Sequence, residues 1–145
     1  MTAPVFVDTN VLIYAVDLAD PRKQRAAQSW LDELWKSKMG RLSFQVLQEF
    51  YVKVSQKRLS TVDNARAEIR DLLTWKPVPV TAGLLEQGWK IQDRYRLSFW
   101  DSLIVAAAKS ASCRFLLTED LQSGQDFGGL LVINPFLRDP ASVTT

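Results

Sequence analysis

The sequence predicts an α/β protein, a three-layer α/β/α sandwich around a mainly parallel sheet of about five strands. Three short apolar runs, at residues 5–7, 115–118 and 130–133, have the composition of buried parallel strands. The segments between them carry apolar side chains at helical spacing. Strands that alternate with helices in this way are typical of a parallel sheet covered on both faces.

The remaining elements follow from caps and apolar periodicity along the chain. The first strand ends at Asp8 and leads into a short apolar helix over residues 11–16. Asp20 caps the second helix, which has Pro21 at its first position and continues to about Lys38. Further on, the pattern predicts strands at 41–43 and 78–80 and helices at 44–57, 61–75, 82–95 and 99–108. The proline within 78–80 indicates an edge strand.

The 145 residues suit a single domain, predicted over residues 1–137, with a flexible tail at 138–145. No apolar run reaches the roughly 18 residues of a membrane span, and the N-terminus lacks the basic and apolar regions of a signal peptide. The single cysteine, Cys113, cannot form an internal disulfide. These features predict a cytoplasmic protein that does not bind a membrane.

The composition restricts the chemistry that this chain can perform. It contains no histidine, which excludes Ser-His-Asp and Cys-His catalysis, histidine acid–base chemistry and most zinc sites. The 18 basic and 16 acidic side chains give a net charge of +2. If four acids form a metal site, the other side chains carry a net charge of about +6, and a basic surface suits a polyanionic substrate.

Four acidic positions can reach a common pocket. Asp8 follows the first strand, and Glu119 and Asp120 follow a later one. The carboxyl ends of parallel strands share one edge of a sheet, where ligands bind. Asp101 begins a buried helix, and Glu49 lies at the margin of the apolar arc of its own helix. The fourth acid is therefore either Glu119 or Asp120.

Two of these acids also have a purely structural interpretation. Asp101 forms a capping box with Ser98, and Glu49 can pair with Lys53 on an exposed helix face. If the acids cluster instead, two carboxylates about 5 Å apart repel by roughly 3 kcal/mol at an effective dielectric constant of 20. A hard divalent cation, Mg²⁺ or Mn²⁺, removes this repulsion and can support phosphodiester hydrolysis.

Four segments of the chain carry a recognisable pattern. They are Val7-Asp8-Thr9-Asn10-Val11-Leu12, Gln45-Val46-Leu47-Gln48-Glu49-Phe50, Phe99-Trp100-Asp101-Ser102-Leu103-Ile104 and Leu117-Thr118-Glu119-Asp120-Leu121. In this order they resemble the PIN domain family and, within it, the VapC-type toxins of bacterial toxin–antitoxin pairs. Gly124 and Asn134-Pro135-Phe136 also resemble this subfamily, so the likeness spans residues 5–136.

The resemblance implies a PIN-like fold and a metal-dependent ribonuclease. The implied acidic residues are Asp8, Glu49, Asp101 and Asp120. Asp8 and Asp101 would be the principal ligands of Mg²⁺ or Mn²⁺. Glu49 and Asp120 would complete a second metal position or bind through water. Asp120 is preferred to Glu119 because the family pattern places the acid two residues after a threonine or serine.

The resemblance also implies roles for other residues and partners. Thr9 and Asn10 would support the acidic site. A cognate antitoxin would block the cleft, and the toxin would be a homodimer. Our mechanistic hypothesis is that a metal-activated water attacks an RNA phosphodiester in line, which leaves a 3′-hydroxyl on one fragment and a 5′-phosphate on the other. The candidate RNA-binding residues are Arg22, Lys23, Arg41, Lys53, Arg94, Arg96 and Trp100.

Other interpretations remain open from the sequence. Arg22 and Lys23 also fit a solvated helix face, and Trp100 also fits core packing. The protein is alternatively an RNA processing or decay nuclease outside a toxin–antitoxin pair, or a non-catalytic PIN-like binding module. A signalling receiver domain is a weaker alternative, because residues 78–81 supply no acid and no lysine follows the strand at 115–118.

Overall fold

The structure is a computed structural model in which residues 1–143 are described. Its centre is a four-stranded parallel sheet with the strand order β2-β1-β3-β4. The strands are β1 (Val5–Val7), β2 (Gly40–Arg41), β3 (Phe115–Leu117) and β4 (Leu131–Ile133). All residues of β1 and β3 are buried, as expected for central strands that are covered on both faces.

Six α-helices flank the sheet in the described part of the chain. They are α1 (Thr9–Val16), α2 (Pro21–Ser37), α3 (Phe44–Gln56), α4 (Val62–Leu72), α5 (Ala82–Tyr95) and α6 (Phe99–Ser110). The predicted caps Asp20, Ser43 and Ser98 are confirmed, because each side chain accepts a hydrogen bond from a backbone N–H in the first turn. The three-layer architecture is therefore the predicted one.

The strand register aligns the ends of the sheet. Val5 lies opposite both Gly40 in β2 and Phe115 in β3, and Phe115 lies opposite Leu131 in β4. Because all these pairs are parallel, the four strands begin at one end of the sheet and finish at the other. The residues that follow β1 and β3 therefore share the carboxyl end, as predicted.

The sheet has four strands, whereas about five were expected. The predicted strand at 78–80 forms only a single parallel bridge, from Val78 to Ser43. The Val78 N–H donates to the carbonyl of Leu42 at 3.0 Å, and its carbonyl accepts from the N–H of Phe44 at 3.1 Å. Pairing ends there because helix α3 begins at Phe44, so the neighbouring chain is no longer extended.

The segment predicted as a flexible tail has defined contacts as far as the structure describes it. The Trp30 indole N–H donates to the carbonyl of Arg138 at 2.9 Å, and Val143 is buried. A 3₁₀ turn at Pro140–Ser142 lies between these contacts. Residues 144–145 lie outside the described residues. Within residues 1–143, no helix is long and apolar enough to cross a membrane.

Candidate active site

Asp8 lies at the carboxyl end of the sheet, at the centre of a cluster of acidic and polar side chains. It follows β1 directly and caps the N-terminus of α1. Its Oδ1 accepts a hydrogen bond from the Thr9 N–H at 2.7 Å, and its Oδ2 accepts one from the Thr118 hydroxyl at 2.8 Å. The side chain is buried. The carboxylate is therefore fixed in position by both of its neighbours.

The environment of Asp8 disfavours a negative charge. Burial raises the pKa of Asp8 to about 7, against the opposing effect of the hydrogen bonds from Thr118 and Thr9. Repulsion from the carboxylates of Asp120 and Glu49 raises the pKa further. The acids at this end of the sheet are thus close enough to act on one another.

Asn10 connects Asp8 to the segment that follows β3. Its Nδ2 lies 2.9 Å from the Thr118 hydroxyl, 3.2 Å from Asp120 Oδ2 and 3.4 Å from Asp8 Oδ2. Its Oδ1 accepts from the backbone N–H of Glu119 at 3.3 Å. One amide group therefore links two carboxylates that are 112 residues apart in the sequence.

Helices α3 and α6 place the other two predicted acids beside this network. Glu49 Oε1 accepts a hydrogen bond from the Thr9 hydroxyl at 3.3 Å. Asp101 lies in the first turn of α6, where its N–H donates to Ser98 Oγ at 3.1 Å. Burial raises the pKa of Asp101, and the charge of Asp120 adds to this effect, while the hydrogen bond with Ser98 opposes it.

The Glu119 side chain pairs with Lys23. Lys23 Nζ lies 2.8 Å from Glu119 Oε2 and 3.4 Å from the Tyr14 hydroxyl. The same ammonium group lies 4.6 Å and 5.0 Å from the ring centroids of Tyr14 and Phe136. The two adjacent carboxylates therefore have different partners: that of Glu119 contacts Lys23, while that of Asp120 contacts Asn10.

The structure adds Thr118 to the residues that the sequence predicted for the site. Its hydroxyl donates to Asp8 and accepts from Asn10 Nδ2, and it also accepts from the Asp120 N–H at 3.1 Å. Thr118 is fully buried. The one sequence signal for this role was its position at the end of a strand, two residues before Asp120.

The candidate RNA-binding residues do not form one continuous surface. Lys53 and Trp100 line a cavity of about 420 Å³ together with Glu49, and the Trp100 side chain is 64% exposed. Lys23 is in the ion pair with Glu119. Arg41 lines a different cavity, at the amino end of the sheet. The other predicted residues, Arg22, Arg94 and Arg96, are exposed.

The four acids lie near one another without converging on one point. Within residues 1–143, no group of three or more Asp, Glu or Cys side chains is positioned to hold a metal ion. The donor chemistry fits a hard divalent cation, because all four candidate ligands are carboxylates. Glu49 and Asp101 are half-buried and Asp120 is exposed, so their side chains have room to turn toward a cation.

Comparison with known proteins identifies the family. The PIN domain family model matches residues 5–123. The chain therefore belongs to the PIN domain family, which confirms the resemblance seen in the sequence. A search of curated proteins finds no match.

Several solved structures have the same fold. A toxin–antitoxin complex from Klebsiella pneumoniae matches with a TM-score of 0.66 and 19% identity, over 90% of this chain and 97% of the other. The Mycobacterium tuberculosis toxin VapC20, described as cleaving the sarcin-ricin loop, matches with a TM-score of 0.60 and 26% identity, over 77% of this chain and 86% of the other. VapBC2 from Rickettsia felis, bound to a promoter DNA fragment, matches with a TM-score of 0.60 and 15% identity, over 88% of this chain and 96% of the other.

Proposed function

We propose that this protein is a metal-dependent endoribonuclease and the toxin of a toxin–antitoxin pair. The observation that carries the proposal is the acidic cluster of a PIN domain, to which the segments after β1 and β3 and the helices α3 and α6 each contribute one carboxylate. The hydrogen bonds of Thr9 and Asn10, and the raised pKa of Asp8, support the view that these acids form one unit.

Asp8 and Asp101 are the proposed principal ligands of Mg²⁺ or Mn²⁺, with Glu49 and Asp120 completing the site or binding through water. When bound, the cation lowers the pKa of water and stabilises negative charge on the phosphodiester. Burial, together with the charges of Asp120 and Glu49, raises the pKa of Asp8, and a cation bound by Asp8 would favour its ionised form. Carboxylates without a histidine are sufficient for this chemistry.

The neighbouring polar side chains have positioning roles in this proposal. Thr118 and the Thr9 N–H hold the two oxygens of Asp8, which fixes the direction of the carboxylate. Asn10 holds Asp120 and the backbone of Glu119. Such contacts matter because ligands that are held in place lose little freedom when a cation or substrate binds. Asp120 is the fourth acid, since Glu119 is occupied by Lys23.

RNA, a cognate antitoxin and a second copy of the chain are the proposed partners, and the cytoplasm is the proposed location. Support for RNA comes from VapC20, which is described as a sarcin-ricin loop cleaving toxin and is 26% identical over 77% of this chain. Support for an antitoxin comes from the toxin–antitoxin complexes that share the fold. We propose hydrolysis that leaves a 3′-hydroxyl and a 5′-phosphate.

The decisive experiment is incubation of total cellular RNA with the purified protein in Mg²⁺, in Mn²⁺ and in chelator. Discrete fragments that require the metal, and that are absent with Asp8→Asn, are the expected result. Asp63→Asn is the matched control, because Asp63 is an exposed acid on α4 outside the acidic cluster. Sequencing of the fragment ends identifies the RNA that is cut.

Two results would contradict the proposed function. If no RNA is cleaved with any metal, and calorimetry detects no metal binding to the folded protein, the chain is a PIN-like binding module. If cleavage occurs but no antitoxin is encoded beside the gene, a role in RNA processing or decay replaces the toxin role.

A further inference from the structure

A second cavity, of about 450 Å³, lies at the amino end of the sheet. It is formed where the end of α2 meets the start of β2 and a 3₁₀ turn at Leu73–Trp75. Its lining residues are Trp35, Lys38, Gly40, Arg41, Thr74, Trp75 and Lys76. Among these residues three are cationic and none is acidic. The cavity is therefore opposite in charge to the acidic cluster around Asp8.

Two tryptophans form a rigid wall of this cavity. Trp75 is buried directly against Gly40, where an added Cβ would lie only 2.4 Å from the indole ring. Trp35 packs on Trp75, with ring centroids 5.0 Å apart and an interplanar angle of 58°. The Trp35 side chain remains 39% exposed. An indole that is supported from behind and open in front is a surface on which a planar ring can stack.

The three cations around this wall have unusual backbone surroundings. Arg41 Nη1 donates to the carbonyls of Lys38 and Gly40, at 3.0 Å and 2.9 Å. Lys38 and Lys76 both have left-handed backbone conformations, with φ of 61° and 54°. Glycine is the residue that adopts this conformation most easily at a helix end. Stability of the backbone alone therefore favours glycine at both positions.

A cation at a helix C-terminus also interacts favourably with the helix dipole, and this effect must be separated from ligand binding. Arg58, just after α3, has the same left-handed conformation, with φ of 53°, but does not line the cavity. The difference at the cavity is that two such lysines and an arginine surround an exposed indole. Cations combined with an aromatic surface suit a nucleotide, which carries a phosphate and a base.

We propose that this cavity binds a nucleotide unit of single-stranded RNA, with the base on Trp35 and the phosphate among Lys38, Arg41 and Lys76. The inference rests on the proposed ribonuclease function and adds an RNA-binding site at the end of the sheet away from the acids. Stacking and charge are insensitive to base identity, so the site increases affinity for a strand without selecting a sequence.

The test is fluorescence anisotropy of a labelled single-stranded oligouridylate, titrated with full-length protein that carries Asp8→Asn to prevent cleavage. Lys38→Gly/Lys76→Gly in this background is expected to bind about tenfold more weakly at ~0.15 M salt. The plot of log affinity against log salt is expected to become shallower by about 1.4, because each lost phosphate contact contributes about 0.7. Glycine suits the left-handed φ at both positions, so the variant is expected to unfold at no lower a temperature.

Two matched comparisons identify the cause of any loss. Arg58→Gly changes the same charge and the same kind of backbone position outside the cavity, and is expected to leave affinity within about twofold. Trp35→Phe keeps an aromatic ring and is expected to keep most of the affinity, while Trp35→Leu is expected to lose about tenfold.

Three outcomes would overturn the inference. The first is an unchanged affinity for the oligouridylate in Lys38→Gly/Lys76→Gly, and the second is an equal loss of that affinity in Arg58→Gly. The third is that the double lysine variant loses binding to a poly-glutamate peptide, used as an acidic protein probe, but still binds the oligouridylate. The last would mean that the cavity takes an acidic protein segment. The proposed function is judged separately, since cleavage by the protein with Asp8 intact does not depend on this binding assay. Binding that depends on the lysines without any cleavage would remove the ribonuclease function and keep the RNA site.

Discussion

The two ends of the sheet carry opposite charges for a common physical reason. At the carboxyl end, Asp8 caps α1 and Asp101 lies in the first turn of α6, so both acids stand at helix N-termini. At the amino end, Lys38 follows the C-terminus of α2, and Lys76 follows the 3₁₀ turn after α4. Helix dipoles favour negative charge at the first location and positive charge at the second.

The two ends differ in how their charges are held. Asp8 is buried, and its position depends on side chains from elsewhere in the sequence, such as Thr118. The lysines at the amino end are exposed and stand at backbone positions with left-handed φ. Substitutions at the carboxyl end are therefore expected to change both chemistry and stability. Most substitutions of the exposed cations are expected to change binding alone.

The largest expected effect belongs to Asp8→Asn, which should reduce RNA cleavage by at least about a hundredfold. Substitutions of residues that merely support a metal ligand already cost about 10 to 100-fold, and Asp8 is a proposed ligand. Initial rates of cleavage at saturating Mg²⁺ measure the effect. Lys38→Gly is the comparison from the amino end of the sheet. At saturating RNA, its cleavage rate should fall by less than about twofold. Equal losses in both variants would contradict the proposed separation of chemistry and binding.

The second prediction concerns the stability of the metal-free protein as the pH changes. The pKa of Asp8 is about 7 in the folded protein, against an ordinary value of 3.8. The folded state therefore binds this proton more tightly than the unfolded state, so the free energy of unfolding should fall as pH rises from about 4 to about 7. A shift of this size corresponds to at most about 4 kcal/mol.

Urea titrations in chelator at several pH values measure this dependence. Asp8→Asn should flatten the curve and be the more stable protein at pH above about 7, while added Mg²⁺ should stabilise the unsubstituted protein alone. A pH dependence that is the same with and without the Asp8 carboxyl would show that other groups cause it.

The third prediction is a packing effect at the amino end. Gly40→Ala should destabilise the protein by about 1–3 kcal/mol, because the new methyl group overlaps the buried Trp75 ring. Gly83→Ala in α5 is the control, since its nearest contact is 3.8 Å away and alanine favours a helix. Thermal unfolding compares the two. If Gly40→Ala is neutral, the indole wall of the cavity is less rigid than the structure indicates.

The smallest effect is expected from the ion pair between Lys23 and Glu119. Lys23→Met and Glu119→Gln should each lower the cleavage rate by about tenfold, through a less fixed segment before Asp120, as for other supporting contacts. Stability should change by less than about 1 kcal/mol, because the pair is partly exposed. The exchanged pair Lys23→Glu/Glu119→Lys should recover activity. If Glu119→Gln lowers the cleavage rate more than Asp120→Asn does, Glu119 is the fourth acid.

The sequence predicted the fold and the neighbourhood of the site because these depend on local patterns. Apolar strands that alternate with amphipathic helices lead to a parallel sheet, and a parallel sheet places the residues after β1 and β3 at one end. The caps at Asp20, Ser43 and Ser98 depend on contacts within a single turn. The same patterns overestimated the number of strands, because β propensity at residues 78–80 does not tell how much extended chain lies beside them, and only residues 42–44 pair there.

Other features of the molecule were decided by tertiary structure alone. Glu119 and Asp120 are neighbours with the same charge, and their carboxylates differ because one meets Lys23 and the other meets Asn10, both distant in the sequence. The cavity at the amino end likewise requires the end of α2 to meet Trp75. Spacing along a chain determines which face of an element a residue occupies, but the packing of elements that are distant in sequence determines what that face meets.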